Sequence, residues 1–202
     1  MSEPEAPLDR RELFALGWRR GAGQADAPRS RRWIRPPHAL PEAEFLALCT
    51  GCGDCITACP HDVVFALPAG AGLRAETTPA LDLLKKGCHM CDGWPCVAAC
   101  ETGALVLPDQ AGGPPPRLAL AEVDTTACLA WLGPECGACA HACPVPGALE
   151  WDSGTRPVIN TDACTGCALC REACIAEPRA IRVSARLRDR EPGENQQNSK
   201  AF

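Results

Sequence analysis

The stretch that decides the fold runs from Cys49 to Pro60 and reads CTGCGDCITACP. It has three cysteines at intervals of three residues, then a fourth cysteine four residues later and a proline. The pattern returns as CTGCALCREAC from Cys164 to Cys174. Two looser versions lie between them, CHMCDGWPCVAAC from Cys88 and CLAWLGPECGACAHACP from Cys128. The chain therefore contains a fourfold repeat of cysteine motifs.

These four motifs account for all 16 cysteines of the 202-residue chain. A [4Fe–4S] cluster takes one thiolate for each of its four irons, and in two-cluster ferredoxins the fourth cysteine of a motif ligates the other cluster. The spacing therefore predicts four [4Fe–4S] clusters held by every cysteine. In chain order these are Cys49, Cys52, Cys55 and Cys59 (motif 1), Cys88, Cys91, Cys96 and Cys100 (motif 2), Cys128, Cys136, Cys139 and Cys143 (motif 3), and Cys164, Cys167, Cys170 and Cys174 (motif 4).

Zinc and disulfides are the competing uses of cysteine. Structural zinc sites usually join two C-x2-C pairs across a long loop or combine Cys with His, which leaves half of each motif unexplained. The four histidines of the chain are not needed as ligands, because each motif already has four cysteines. Disulfides require an oxidising compartment, and residues 1–20 contain no apolar segment typical of a secretion signal. Iron–sulfur clusters are therefore the favoured interpretation.

The composition fits an interior filled by cofactors. Tyrosine is absent and aromatic residues make up only 4% of the chain, while Gly and Pro number 18 and 20. So few large side chains leave an ordinary hydrophobic core hard to fill. We expect a small, irregular α+β fold made of two tandem bacterial two-[4Fe–4S] ferredoxin-like modules, with short β-ribbons and one-turn helices.

Local patterns predict where these elements lie. Apolar runs at residues 103–107, 147–151, 156–160 and 180–183 predict short strands, with a turn at Ser153-Gly154 between the second and third. A proline followed by acidic residues predicts a helix over residues 41–48. The fourth cysteine of each motif is expected to begin a one-turn helix.

Composition also suggests four regions. Residues 1–40 are predicted to be a basic arm, 41–110 the first module with motifs 1 and 2, 111–185 the second module with motifs 3 and 4, and 186–202 a disordered tail. The boundary between the modules is the Gly- and Pro-rich segment at residues 110–116. Cluster sharing between adjacent motifs is favoured, and nested sharing, motif 1 with motif 4 and motif 2 with motif 3, remains open.

The charge of the arm is opposite to that of the body. Residues 10–35 carry eight arginines against Glu12 and Asp26, a net charge of +6, whereas residues 36–202 carry 12 basic and 20 acidic residues, a net of −8. The arm is therefore a candidate for binding an acidic partner surface, with a solvated leader as the alternative. Its candidate partner-binding residues are Arg10, Arg11, Arg19 and Arg20. The acidic body makes nucleic acid an unexpected partner.

The sequence contains no sign of an independent catalytic site. A P-loop, a G-x-G-x-x-G segment after a strand and a nucleophile beside a base are all missing from it. We therefore expect an electron carrier and not an enzyme. No apolar run is long enough for a transmembrane helix, which leaves peripheral membrane association possible, and the expected location is the cytoplasm.

Motif 1 and motif 4 resemble bacterial ferredoxin motifs. The sequence WIRPP at residues 33–37, followed by a short helix and motif 1, resembles the ferredoxin-type accessory proteins of periplasmic nitrate reductase, the NapF and NapG families. The irregular motifs 2 and 3 are similar to those of NapG and of the methylamine-utilisation MauM group. Glu101 and Ile175 depart from the ferredoxin pattern, where proline often follows the last cysteine, without removing a ligand.

The resemblance implies a function. NapG-like proteins carry a twin-arginine export signal and lie on an electron path from quinol, whereas NapF-like proteins stay in the cytoplasm and assist the catalytic subunit. Arg10-Arg11 without a following apolar segment is NapF-like. The resemblance thus implies one-electron transfer to, or maturation of, a molybdenum nitrate reductase, with its catalytic subunit as partner. The alternatives are an electron-transfer subunit of a membrane-associated oxidoreductase, of the NapG/MauM or dimethyl-sulfoxide reductase type, and a docking module with structural clusters.

Overall fold

The computed structural model describes residues 33–71, 74–107 and 115–186. In these ranges short helices and strands alternate with cysteine loops. In chain order they are α1 (Glu42–Leu48), α2 (Asp54–Thr57), β1 (Val64–Ala66), β2 (Pro79–Leu81), α3 (Pro95–Ala98), β3 (Ala119–Val123), α4 (Leu129–Leu132), β4 (Leu149–Asp152), β5 (Arg156–Ile159), α5 (Leu169–Glu172) and β6 (Ile181–Ala185).

Helix α1 leads the chain into the first motif and confirms the helix predicted at residues 41–48. Pro41 precedes it, and Glu42 and Glu44 lie in its first turn, where acidic side chains favour the helix dipole. The helix buries Phe45 completely. It ends at Cys49, whose amide donates to the Phe45 carbonyl (2.8 Å).

The strands form three antiparallel pairs. Strand β3 pairs with β6 from Ala119↔Ala185 to Val123↔Ile181, and β4 pairs with β5 across the predicted turn. The predictions for residues 147–151, 156–160 and 180–183 are therefore confirmed to within two residues. The pair β1–β2 was not predicted from the sequence.

The strand predicted at residues 103–107 is reduced to one bridge, Leu105↔Ala39. The hydrogen bonds Leu40 N–H to Ala104 O (3.1 Å) and Val106 N–H to His38 O (3.0 Å) flank it. The ladder stops there because the partner segment begins with Pro36 and Pro37, which have no amide hydrogen to donate.

The prediction that each fourth cysteine begins a helix is wrong. Helices α2, α3 and α5 each contain the third cysteine of their motif and end before the fourth. Each helix follows a residue in the left-handed region, namely Gly53, Trp94 or Ala168. The third and fourth cysteines are four residues apart, and one helical turn therefore separates them. In motif 3 the helix is α4, which lies between the first two cysteines.

Residues 33–40 contact residues 81 and 104–106 in the structure, although the sequence assigned them to the arm. Ile34 bridges to Leu81, and Pro36 and Pro37 are fully buried. The other residues of the predicted arm, including Arg10, Arg11, Arg19 and Arg20, lie outside the described residues. So do residues 108–114 of the predicted linker and residues 187–202 of the predicted tail.

Residues 33–107 and 115–186 pack against each other, and we refer to these two ranges as the first and the second module. Phe45, Val97 and Leu105 of the first module share one hydrophobic core with Leu118 and Ala168 of the second. Within the described residues, no helix is long and apolar enough to cross a membrane. The fold is thus a small α+β structure in which the cysteine loops lie against several hydrophobic clusters, of which one contains residues of both modules.

Candidate iron–sulfur centres

The structure brings the sixteen cysteines together in four sets of four. Each set combines three cysteines of one motif with the last cysteine of its neighbour, and motif 1 exchanges with motif 2 as motif 3 exchanges with motif 4. We call them set 1 (Cys49, Cys52, Cys55, Cys100), set 2 (Cys59, Cys88, Cys91, Cys96), set 3 (Cys143, Cys164, Cys167, Cys170) and set 4 (Cys128, Cys136, Cys139, Cys174). This is the grouping that sharing between adjacent motifs requires.

Sets 2, 3 and 4 surround cavities of nearly the same size. The space free of protein atoms at these sites, part of it open to solvent, is about 360 Å³ for set 2, 330 Å³ for set 3 and 350 Å³ for set 4. Apart from the cysteines, most lining residues are apolar, for example Val63 and Leu81 at set 2 or Leu149 and Ile159 at set 3. Three equal, apolar cavities with four thiols each suit three copies of one compact cofactor.

The arrangement of the thiols fits a cubane cluster. In residues 33–71, 74–107 and 115–186, no group of three or more His, Cys, Asp or Glu side chains converges on a single metal-ion position. A [4Fe–4S] cluster takes one thiolate at each of four irons, so its ligands stand around a volume. Sets 2, 3 and 4 stand around such volumes, and the donor chemistry of all four sets is that of this cofactor.

Burial sets the protonation of the free thiols. It raises the pKa of Cys55, Cys88 and Cys170 to about 12 and that of Cys96 to about 11. Neighbouring cysteines of the same set raise these values further, because several negative charges around one cavity repel each other. These four thiols are therefore protonated at neutral pH until a metal ion displaces the protons.

Among the cysteines whose pKa is shifted, Cys100 differs because its pKa is lowered. Burial opposes ionisation there, but hydrogen bonds from Thr102 and the amides of Leu105, Ala104 and Gly103 together lower its pKa. The Leu105 amide lies 3.4 Å from the sulfur. These donors favour the charged thiolate. Cys100 of set 1 therefore needs less free energy to lose its proton when a cluster binds.

Backbone amides also donate to sulfur in the second module. Gly166 N–H donates to Cys164 Sγ (3.3 Å), and Ala180 N–H donates to Cys174 Sγ (3.4 Å). At Gly166 the φ angle is +70° and a Cβ atom would overlap the backbone of Ala119. The tight loop that directs this amide at sulfur therefore requires glycine.

Each set contacts the set that carries the next number. Cys55 of set 1 is close enough to Cys96 of set 2 for each to affect the other electrostatically. The Cys88 amide of set 2 donates to the Cys167 carbonyl of set 3 (2.8 Å). Cys170 of set 3 interacts in turn with Cys139 of set 4. These contacts make neighbours of sets 1 and 2, of sets 2 and 3, and of sets 3 and 4.

Sequence reasoning missed the role of Arg35. Its side chain is 6% exposed and forms two hydrogen bonds with the Glu42 carboxylate (2.6 and 2.9 Å). It also donates to Thr78 Oγ1 (2.8 Å) and lies 4.5 Å from the centre of the Phe45 ring. Arg35 therefore fixes α1, and with it Cys49, to the first module. The WIRPP segment was the available signal, but an arginine in a basic arm gives no sign that it is buried.

Aromatic and histidine side chains surround two of the sets. His61 and His89 stack at 3.6 Å and line the cavity of set 2 together with Trp94. Near set 4, Trp131 donates from Nε1 to the Pro157 carbonyl (3.1 Å). These rings restrict the access of water to the cysteines, a shielding that tunes an iron–sulfur site.

Comparison with known proteins gives several extended matches. The 4Fe-4S binding domain family matches residues 46–65, which include motif 1. The ferredoxin-type protein NapG of Escherichia coli (strain K12) is 35% identical over 183 residues, 85% of this chain and 78% of NapG. The methylamine utilization ferredoxin-type protein MauM of Paracoccus denitrificans (strain Pd 1222) is 37% identical over 186 residues, 87% of this chain and 82% of MauM.

A match of lower identity covers less of the chain. The ferredoxin-type protein NapF of Escherichia coli (strain K12) is 31% identical over 145 residues, 70% of this chain and 79% of NapF. The resemblance inferred from WIRPP and the irregular motifs is therefore confirmed. With its cysteine sets and these matches, the chain belongs to the family of ferredoxin-type, [4Fe–4S]-binding electron-transfer proteins that includes NapG, MauM and NapF.

Proposed function

We propose that the chain is an electron carrier that holds four [4Fe–4S] clusters, one in each cysteine set, and has no catalytic site of its own. A [4Fe–4S] cluster supplies one-electron redox chemistry at a potential set by its surroundings. The observation that carries the proposal is the grouping of all sixteen cysteines into four sets of four, with similar cavities at sets 2, 3 and 4.

The chain's own residues contribute in three ways. The thiols release their protons on metal binding, so loading depends on metal and pH. The amides of Leu105, Gly166 and Ala180 donate to sulfur, and such bonds stabilise the more negative state and raise the reduction potential. Apolar side chains exclude water from the cavities.

The order of the sets supports transfer between two partners. Set 1 contacts set 2 and set 4 contacts set 3, and exposed apolar side chains lie beside both outer sets. Leu48 next to set 1 is 44% exposed, and Ile175 and Leu132 near set 4 are 67% and 60% exposed. Apolar groups beside a redox site provide contact area for a transient partner. We propose that an electron donor binds beside one of these two sets and an acceptor beside the other.

The proposed acceptor system is a molybdenum nitrate reductase, as the resemblance to NapG and NapF implies. A second candidate partner is an amine-oxidising system, which would be the electron donor and which the 37% identity to a methylamine utilization protein favours. The proposed location is the cytoplasm, supported by the resemblance of the Arg10-Arg11 region to NapF proteins. Fractionation of cells that produce the full chain tests that location.

An anaerobic experiment tests the carrier function. The reconstituted full chain is mixed in its reduced form with nitrate reductase and nitrate, or in its oxidised form with an amine dehydrogenase and its amine, and cluster absorbance is followed. We expect the absorbance to change at the rate of turnover with one of the two systems. Clusters that keep their oxidation state throughout turnover with both would contradict the proposal and favour a docking module with structural clusters.

A maturation role depends on the basic arm and is tested separately. Removal of residues 1–32 preserves Arg35, Pro36 and Pro37, which belong to the core. If the arm binds an immature, acidic partner, the truncated chain keeps its clusters and its electron transfer but no longer captures the partner. Unchanged capture and unchanged reductase maturation would exclude this role for the arm.

A further inference from the structure

The contact between the two modules includes a direct link between cysteine residues of different sets. The amide of Cys88, in set 2, donates to the carbonyl of Cys167, in set 3 (2.8 Å). The preceding amide, of Gly87, donates to Glu172 Oε2 (2.7 Å). Two consecutive amides of the first module are thus bound by motif 4 of the second.

Gly87 allows the backbones to come this close. A Cβ atom there would lie 2.8 Å from Leu169 N and 2.9 Å from Leu169 Cα. Real Cβ atoms do not approach backbone atoms so closely. The φ angle of Gly87 lies outside the left-handed region, so glycine is required here for space and not for backbone conformation.

The neighbouring residues strengthen the same contact. Arg171 donates from Nε to the Leu84 carbonyl (3.3 Å), which ties α5 to the segment before Gly87. Cys167 is buried, with 6% exposure. Because the link is buried and short, it joins the two sites through covalent bonds and one hydrogen bond, without intervening water.

We propose that Gly87 and Glu172 are positioning residues that hold sets 2 and 3 in direct contact, so that the two modules work as one four-site carrier. The proposal rests on the proposed function, because the contact matters for electron transfer only if both sets hold clusters. The electronic coupling between the modules depends on Gly87 and Glu172, whereas cluster binding within each module does not.

The test compares Gly87→Ala with Gly137→Ala in the full, anaerobically reconstituted chain. Gly137 also lies in a cysteine loop and outside the left-handed region, but a Cβ atom there meets nothing within 4 Å. Iron content and the EPR spin coupling between reduced clusters are measured for both. We expect Gly87→Ala to keep its iron and its within-module couplings and to lose the coupling between modules, while Gly137→Ala matches the wild type.

A second pair of variants covers the case in which Gly87→Ala does not load with iron. Glu172→Ala removes the acceptor of the Gly87 amide, and Glu172→Gln keeps an acceptor oxygen. Loss of a hydrogen bond to a charged group should speed hydrogen exchange at the Gly87 amide by about tenfold, and Glu172→Gln should restore most of the protection.

The outcomes separate the two proposals. Coupling between modules that is unchanged in both Gly87→Ala and Glu172→Ala would overturn this inference and leave the four-cluster carrier intact. A wild-type chain that binds far fewer than about sixteen irons would contradict the carrier instead. Hydrogen exchange at residues 87 and 88 would still test the contact itself, because it needs no electron transfer.

Discussion

The two modules build equivalent pairs of cysteine sets from different supports. In the second module, the five-residue ladder β3–β6 and the hairpin β4–β5 pack behind sets 3 and 4. In the first module, the counterpart of the longer ladder is the single bridge Leu105↔Ala39. A buried arginine and a proline-rich segment, residues 33–40, provide the support there. Similar ligand geometry thus does not require similar secondary structure, provided that each cysteine loop is fixed at both ends.

The largest expected effect comes from removing a ligand. Cys139→Ser should abolish loading of set 4, with a loss of about four irons per chain, and should destabilise the second module because cluster binding and folding are coupled. Iron analysis and EPR measure the loss, with Ala140→Ser as the control in the same loop. Retention of all the iron in Cys139→Ser would show that this cysteine is not a ligand.

The second-largest effect is expected from a buried arginine that stabilises the first module and not the second. Arg35→Met leaves Glu42, Thr78 and the Pro79 carbonyl without the arginine as donor. Because Glu42 is 27% exposed, the cost is about 3 kcal/mol, the lower end for a buried pair. Urea unfolding followed by cluster absorbance should show the first module unfolding earlier than the second. The matched control is Arg156→Met, an exposed arginine 5.2 Å from the Trp131 ring, with a cost of about 1 kcal/mol or less. Equal effects of the two variants would contradict a special role for Arg35.

A glycine substitution tests the tighter packing of the second module. Gly166→Ala forces a Cβ atom against the backbone of Ala119, at the start of β3, and should destabilise this module by about 1–3 kcal/mol. The hydrogen bond from residue 166 to Cys164 Sγ should weaken as the loop shifts, so the potential of one cluster should fall. Urea unfolding and a redox titration check both effects. A variant as stable as Gly137→Ala would show that the loop tolerates a side chain.

The smallest effect is expected at the aromatic ring beside set 4. Trp131→Phe removes the hydrogen bond to the Pro157 carbonyl and keeps most of the apolar surface, for a cost of about 1 kcal/mol. Only the unfolding of the second module should shift. A shift in the first module as well would mean that the modules unfold as one unit and would weaken the comparison between them.

The sequence predicted the parts of the fold that depend on local spacing. The cysteine motifs, helix α1 and hairpin β4–β5 each carry a local signal in residue type and periodicity. The burial of Arg35, the pair β1–β2 and the contact of Gly87 with Leu169 depend on segments far apart in the chain, so no local pattern indicates them. The fourth cysteine was misplaced at a helix start because spacing alone does not reveal the left-handed residues, such as Ala168, that begin the helix earlier.

The central claim is that the sixteen cysteines hold four clusters. Iron and acid-labile sulfide are counted in the full chain after anaerobic reconstitution, with EPR on the reduced protein to identify the cluster type. The account predicts about sixteen irons and sixteen sulfides per chain, with spectra of interacting [4Fe–4S] clusters. About four or eight irons after complete reconstitution, or stoichiometric zinc without sulfide, would contradict it.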